Sequence, residues 1–306
     1  MITLNKQVIN TQQFGLPEQF FNFESFSKNI TKINEVVWYY ENDTSIIELL
    51  MFTQLLYQES LLSDEYKLVI SYLPYSRADR KIKNKPFGLQ VIHELLNLQY
   101  FQVYSEIKVV EPHSKAADNL VYGNLFNRTI PKLTTPILLS IYLSELNLKS
   151  GDYVVVYPDA GAEKRYKYVK TTNKFNLVSP TIPTITMKKH RNEFGKIDSL
   201  EIDHYSSPEL ELNIKDNSIK HAIIIDDLCS YGGTFIRTAK KLKELGLNKL
   251  TLIVTHLEPA AYIPVHENSV FNIYDHVVSS NSLIANPKTA PILADNHKVF
   301  SIERLI

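Results

Sequence analysis

Two adjacent carboxylates stand between an apolar run and a glycine pair in the segment His221-Ala222-Ile223-Ile224-Ile225-Asp226-Asp227-Leu228-Cys229-Ser230-Tyr231-Gly232-Gly233-Thr234. A glycine loop that enters a helix turns backbone N–H groups outward, and the helix dipole adds to their pull on an anion. Asp226 and Asp227 lie beside it, where they can hold a divalent cation or the hydroxyls of a sugar. A phosphate next to a polyol is a sugar phosphate. The same residues also describe an acidic helix start with a tight turn and Thr234 as N-cap. An acid pair placed after a buried strand and before a glycine loop favours the ligand-binding reading.

The chemistry depends on the elements around it. Ala222 to Ile225 is continuous and mostly β-branched, as in a parallel strand covered on both faces. Ile236, Ala239, Leu242 and Leu245 then recur at helical spacing, and Gly246 stands where a helix-ending glycine belongs. Other apolar runs also end in charged loops. Residues 67–73 read as a strand that leads into Pro74-Tyr75-Ser76-Arg77-Ala78-Asp79-Arg80-Lys81. Residues 101–110 read as a strand region before Glu111-Pro112-His113-Ser114, and 152–157 as a strand before Pro158-Asp159-Ala160-Gly161-Ala162-Glu163-Lys164-Arg165. A strand near 182–187 leads into Lys188-Lys189-His190-Arg191. Further strands are expected at 35–40 and 250–255, and helices at 45–57, 87–98 and 135–146. Residues 1–35 show no usable period. Alternating strands and helices predict an α/β fold with parallel sheets, whose ligands bind beyond the carboxyl ends of the strands. The pattern restarts near residue 140, which predicts domains 1–140 and 141–306.

Bulk properties exclude several classes. Hydrophobic residues make up 44% of 306, enough for a full core. Lys plus Arg and Asp plus Glu balance at 33 each, so no overall charge draws the chain to nucleic acid or an anionic membrane. Cys229 is the single cysteine, which rules out an intrachain disulfide and suits a reducing compartment. The N-terminus has no long apolar stretch, and no later run reaches membrane-spanning length. The expectation is a soluble cytoplasmic protein.

Taken together, four loops resemble the ribose-phosphate pyrophosphokinase (phosphoribosyl pyrophosphate synthetase) family. Leu73 to Arg80 resembles its proline–tyrosine–alanine–arginine–glutamine–aspartate–arginine segment. Val110 to Ser114 resembles its aspartate–leucine–histidine–alanine motif, Pro158 to Arg165 its pyrophosphate loop, and the segment at 221–234 its ribose-phosphate loop. The last alone is shared with other phosphoribosyl-binding proteins; four in order over most of the chain is specific. The resemblance implies two similar phosphoribosyltransferase-like domains, each a parallel sheet flanked by helices, with the active site between them, and a homo-oligomer. It implies transfer of the β,γ-diphosphoryl group of ATP to the C1 hydroxyl of ribose 5-phosphate, with Mg²⁺ bridging phosphates.

By the same resemblance, Asp226 and Asp227 bind ribose hydroxyls, and Ser230, Tyr231, Gly232, Gly233 and Thr234 cradle the 5-phosphate. Lys164 and Arg165 contact phosphates. Asp159 and His113 hold metal, His113 on the ATP side. Arg77, with Asp79 and Arg80, faces ATP, although Asp79 and Arg80 equally describe a local ion pair. Phe14 and Glu18 correspond to an adenine pocket. Lys188 aligns with a catalytic loop lysine, with His190 or Arg191 as a second cation; a basic surface turn is the competing reading. Cations at Lys164 and Arg165, taken as a first helical turn, would oppose the dipole and so favour a bound anion.

The departures are informative. The family has an acid and a threonine where this chain has Ser230 and Tyr231, a glutamine at Ala78 and an aspartate at Glu111. A further helix is expected beyond Ile306. A terminal phosphate dianion favours the small hydroxyl that Tyr231 replaces; a substituted phosphate that continues into a nucleotide gains from stacking. Base–aromatic stacking is worth roughly 1–3 kcal/mol. Two acceptors follow: ribose 5-phosphate first, and ADP-ribose second, which would give ADP-ribose pyrophosphate. A non-catalytic nucleotide-binding regulator is a third reading. A phosphoribosyltransferase is a fourth and has no use for Arg77 or His113.

Overall fold

The apolar runs form the inner strands of two sheets in a computed structural model that describes residues 1–15, 18–59, 64–113, 129–149, 151–167, 182–191, 197–263, 269–287 and 290–306. The chain divides into units Met1–Leu133 and Thr134–Ile306. Residue 140, the expected boundary, lies inside a helix, and the break comes before that helix at Leu133/Thr134.

The first unit contains β1 (Ile2–Leu4), β2 (Gln7–Ile9), β3 (Gln12–Gln13), β4 (Gln19–Phe20), β5 (Ile33–Trp38), α1 (Asp43–Glu59), β6 (Glu65–Ile70), α2 (Gly88–Leu96), β7 (Tyr104–Val110) and β8 (Thr129–Lys132). Its main sheet has the order β2-β1-β5-β6-β7-β8. Strands β5 to β8 are parallel, while β1 is antiparallel to β2 and β5. β1 and β2 fall in the stretch without a usable period, because three residues are too few to show one. The strand expected from Phe101 begins as a 3₁₀ turn, Gln99–Val103, and extends only from Tyr104.

The second unit contains α3 (Thr135–Glu145), β9 (Tyr153–Tyr157), α4 (Ala160–Tyr166), β10 (Thr184–Arg191), β11 (Ile197–Tyr205), α5 (Pro208–Lys215), β12 (His221–Cys229), α6 (Gly233–Glu244), β13 (Lys249–Leu257), α7 (Val270–Ile273), β14 (His276–Ser280) and β15 (His297–Phe300). The order is β11-β10-β9-β12-β13-β14-β15, and only β11 runs antiparallel to its neighbour. Both sheets are therefore parallel inside with antiparallel strands at an edge. β11 and α5 lie between β10 and β12 in the chain. β10 also continues past 187, so Lys188 to Arg191 belong to a strand instead of a surface turn.

Alternation explains why β9 and β12 read as unbroken apolar runs. Val154, Val156, Ala222 and Ile224 pack into the core on one face of the sheet; Tyr153, Val155, Tyr157, Ile223 and Ile225 pack on the other. Both faces are covered, and each fully buried Val or Ile contributes about 1.5–3 kcal/mol. α6 ends as its sequence predicts. Gly246 takes φ +94°, and Leu247 N–H bonds the Leu242 carbonyl while Gly246 N–H bonds that of Lys243. Among the described residues no helix is long and apolar enough to cross a membrane.

Candidate active site

β10, β9 and β12 are adjacent and parallel, so their carboxyl ends lie side by side. β9 leads to Asp159, β10 carries Lys188 to Arg191, and β12 carries Asp226 and Asp227. This is where an open α/β sheet binds ligands.

Asp159 caps α4. Its Oδ1 accepts the Ala162 N–H at 2.9 Å, and its Oδ2 accepts from Lys189 Nζ at 2.6 Å. Burial alone would raise this carboxyl, but the Lys189 ammonium, together with the Ala162 and Gly161 N–H groups, holds it below its usual range. Asp226 is pushed the other way. Burial raises its carboxyl well above the usual value, and the neighbouring Asp227 and the charge of Asp159 add to the shift. The Asp227 N–H donates to Asp226 Oδ1 at 2.9 Å. Beneath the pair, Thr135 Oγ1 donates to the Asp226 carbonyl at 3.1 Å and meets Thr255 Oγ1 at 2.8 Å. Ser280 Oγ donates to the Thr255 carbonyl at 2.6 Å. These buried hydroxyls fix the end of β12, and nothing in their spacing along the chain announced it.

The glycine loop enters α6 as expected. Gly232 is the N-cap at φ +78°, and no side chain caps the helix. Its position demands glycine twice over: a left-handed backbone and a Cβ that would lie 2.5 Å from Val270 Cγ1. Among the described residues this helix start has no side-chain cap, which suits a bound anion. Ser230 and Thr234 are half-buried, and Gly233 is exposed. Tyr231 is 59% exposed, so its ring is presented outward beside the cradle and does not serve the core. Cys229 is buried and its thiol is pushed far up by burial, so it is no nucleophile.

One expectation needs correction. Lys164 and Arg165 lie in the last turn of α4, because the helix spans only Ala160–Tyr166. Cations there complement the dipole, so their position carries no hint of a bound anion. Lys188 is exposed, and the neighbour that reaches Asp159 is Lys189. Register shifts at Thr186/Met187 and His190/Arg191 bracket this stretch of β10, and bulges re-aim side chains. Two consecutive lysines look alike in sequence, and no signal there picks the second. His190 Nε2 lies 3.5 Å from Glu201 Oε2. Arg191 ends β10, and its side chain lies outside the described part of the structure.

Residues expected to face ATP lie in the first unit. β6 and β7 are parallel neighbours, so the loops carrying Arg77 and His113 leave the same end of the sheet. Arg77 is exposed. Arg80 Nε is 3.8 Å from Asp79 Oδ1, the local ion pair allowed by the sequence. Tyr75, at φ +59°, donates its hydroxyl to Asp43 at 2.9 and 3.0 Å and so anchors the loop. His113 is half-buried and follows Glu111, which is buried at φ +41°. Phe14 and Glu18 sit on the separate β3–β4 hairpin, where the Phe14 N–H bonds the Glu18 carbonyl at 3.0 Å. Phe14 is 59% exposed and stacks on Phe20 at 4.5 Å.

Among the described residues no three potential ligands converge on one point as a complete metal cage. The acids still fit a hard divalent cation. Asp226 is strained by two neighbouring negative charges, and Mg²⁺ commonly takes only one or two carboxylates, completing its shell with water and phosphate oxygens.

No protein-family model matches the chain. It is 26% identical over 226 residues to the ribose-phosphate pyrophosphokinase of Thermococcus kodakarensis, covering 71% of this chain and 67% of that one. It is 25% identical over 284 residues to the protein of the same name from Mycoplasma pneumoniae, covering 90% and 76%. The match spans about two thirds of the length of several such relatives. The fold is similar to the crystal structure of phosphoribosylpyrophosphate synthetase from Mycobacterium smegmatis, with a TM-score of 0.64, 19% identity, and coverage of 97% of this chain and 87% of that one. The ordered loops, the two α/β units and these relatives agree: the chain belongs to the ribose-phosphate pyrophosphokinase family of transferases.

Proposed function

We propose that the chain transfers the β,γ-diphosphoryl group of ATP to the C1 hydroxyl of a 5-phosphorylated ribose and releases AMP. One observation carries this reading: the carboxyl ends of three adjacent strands gather an acid pair, a helix N-terminus without a side-chain cap, and the Asp159–Lys189 pair. The α6 N–H groups bind the 5-phosphate, and Asp226 and Asp227 orient the ribose hydroxyls. Lys188 and His190, with Arg191, supply positive charge to the transferring group; Arg77 and His113 serve ATP. Asp159 and the Asp226/Asp227 edge would hold Mg²⁺, which would supply positive charge to the phosphates. The remaining work is positioning, which can supply much of the rate for such a transfer.

Ribose 5-phosphate is the acceptor that the family relationship supports. Exposure of the Tyr231 ring favours a second, ADP-ribose, whose terminal ribose also has a 5-phosphoryl group and a free C1 hydroxyl. Its adenosine continues from the phosphate and can stack. The deciding experiment incubates the protein with Mg-ATP and each acceptor and counts AMP released. Ribose 5-phosphate alone giving AMP removes the second acceptor. Should ADP-ribose be used, Tyr231→Ala should lower kcat/KM for it roughly tenfold or more, within the range for a lost stacking contact, and leave ribose 5-phosphate little changed. Nucleotide binding without AMP release from either acceptor would overturn the transferase reading in favour of a regulator.

A further inference from the structure

We propose that Lys189 is an internal counter-cation of Asp159 that gives way to a divalent metal ion, and so sets how tightly the site holds metal before nucleotide arrives. The proposal rests on the reading of Asp159 as a metal-facing carboxylate of a diphosphokinase.

Both oxygens of Asp159 are already engaged. Oδ1 accepts the Ala162 N–H and thereby starts α4; Oδ2 faces Lys189 Nζ at 2.6 Å. A metal ion on Oδ2 would meet the ammonium on the same oxygen, and two cations sharing one carboxylate oxygen repel. The Lys189 side chain is only 12% exposed, so the ammonium is largely stripped of water and committed to this contact. The contact is also built by the backbone. Residues 187–190 lie between two register shifts in β10, and within that stretch Lys188 faces solvent while Lys189 reaches the acid. A lysine placed for general surface charge needs no such arrangement.

The arrangement has a use. Without metal, an unpaired Asp159 would add its full charge to the acids of β12, whose Asp226 already feels it. Lys189 neutralises Asp159 and keeps the α4 cap in place. Divalent cation that comes alone must displace the lysine. Cation that comes with ATP phosphates brings its own anions, and the displaced ammonium then has phosphate oxygens to bind. Lys189 thereby favours arrival of metal together with nucleotide.

The test measures metal binding by the full chain without nucleotide, using Mn²⁺ as the probe and the free-ion electron paramagnetic resonance signal as the readout. Lys189→Met should bind Mn²⁺ roughly tenfold more tightly, in line with the influence of one opposite charge at this range on a carboxylate. Lys189→Arg and Lys188→Met should stay near the wild-type value. Equal or weaker binding by Lys189→Met overturns the proposal. If that variant fails to fold, the wild-type protein decides: acylation of Lys189 by an activated ester, followed by mass spectrometry, should speed up on adding Mn²⁺, and an unchanged or slower rate overturns it. Neither readout depends on turnover, so absence of AMP release would count against the proposed activity and leave these results to stand separately.

Discussion

The carboxyl ends of β9, β10 and β12 and those of β6 and β7 are alike in topology and different in build. In the second unit, Asp226 and Asp227 belong to a buried strand, Asp159 caps a helix, and hydroxyls of Thr135, Thr255 and Ser280 lock the backbone beneath. In the first unit, Arg77 stands exposed on a loop and Arg80 is 85% exposed. A site on rigid elements keeps its geometry before the ligand arrives, at the expense of strain. In the first unit the backbone strain sits in the loops themselves, at Tyr75 (φ +59°) and Glu111 (φ +41°), while the Arg77 side chain is exposed.

The largest expected effect tests the strain on Asp226. Above about pH 4 the unfolded chain loses the Asp226 proton, while the folded chain retains it because the raised carboxyl resists ionisation. Ionisation therefore favours the unfolded state; the destabilisation is absent below about pH 4 and grows as pH rises toward the raised folded value. Asp226→Asn should cut turnover roughly 10²–10³-fold, the scale for a preorganised electrostatic group. It should also raise stability at pH 7 by about 1 kcal/mol, as removal of a strained functional group often does. AMP release checks the first part, and denaturant titration at pH 7 and pH 4 the second. A variant less stable than wild type at pH 7 would show that the acid pair is a structural asset and not a strained site.

Gly232→Ala probes the same region through its backbone. The new Cβ would need φ near +78° and would meet Val270 Cγ1 at 2.5 Å. The expected loss is about 1–3 kcal/mol of stability, together with a raised KM for the acceptor as the α6 N–H groups shift. An unchanged acceptor KM in a destabilised protein would separate the cradle from the binding of phosphate.

The sequence was most legible where function sits on regular structure. Ile223 to Ile225, the acid pair and the glycines show the strand, the site and the helix together, because one buried strand and one helix start need few residues. Legibility fell where geometry depends on contacts distant in the chain. Thr135 supports Asp226 across 91 positions, and nothing near either residue indicates it. Lys188 and Lys189 cannot be told apart without the bulges of β10, which arise from pairing with β11. Lys164 and Arg165 were placed in a first helical turn because the length of α4 is not encoded by a clear stop; its end at Tyr166 reverses the dipole argument.

A smaller effect separates the units by pH. The fully buried histidines among the described residues, His221, His256 and His297, all belong to the second unit. Burial pushes His221 down to about 4, helped by Lys249 and His276, and burial pushes His297 down to about 4 as well. His297 is held neutral between the Tyr262 hydroxyl at 2.6 Å and Ser279 at 2.9 Å. The unfolded chain binds these protons near pH 6.5 and the folded chain only near 4. Their contribution is thus full above 6.5 and is lost as pH falls from there to about 4, roughly 2 kcal/mol between them after solvent screening. Trp38, the single tryptophan, is buried in the first unit and reports on it alone. On acidification, far-ultraviolet circular dichroism should begin to change before Trp38 fluorescence does. Coincident transitions would mean that the two units unfold as one.

Arg77 offers the mildest test and the sharpest contrast with Asp226. Its side chain is exposed on the loop after β6, and the fold of that loop is anchored elsewhere, by Tyr75 on Asp43. Removing an exposed surface side chain commonly changes stability by less than about 0.5 kcal/mol. Losing one charged hydrogen bond to a phosphate lowers affinity roughly tenfold or somewhat more. Arg77→Ala should therefore raise KM for ATP by about that factor while the melting temperature and the acceptor KM stay where they are. A guanidinium acting only in the transition state would instead lower kcat and leave KM unchanged, which would move Arg77 from binding to catalysis. A drop in melting temperature would show that the loop depends on Arg77 for its fold, and the difference in build between the two strand ends would then be smaller than their exposure indicates.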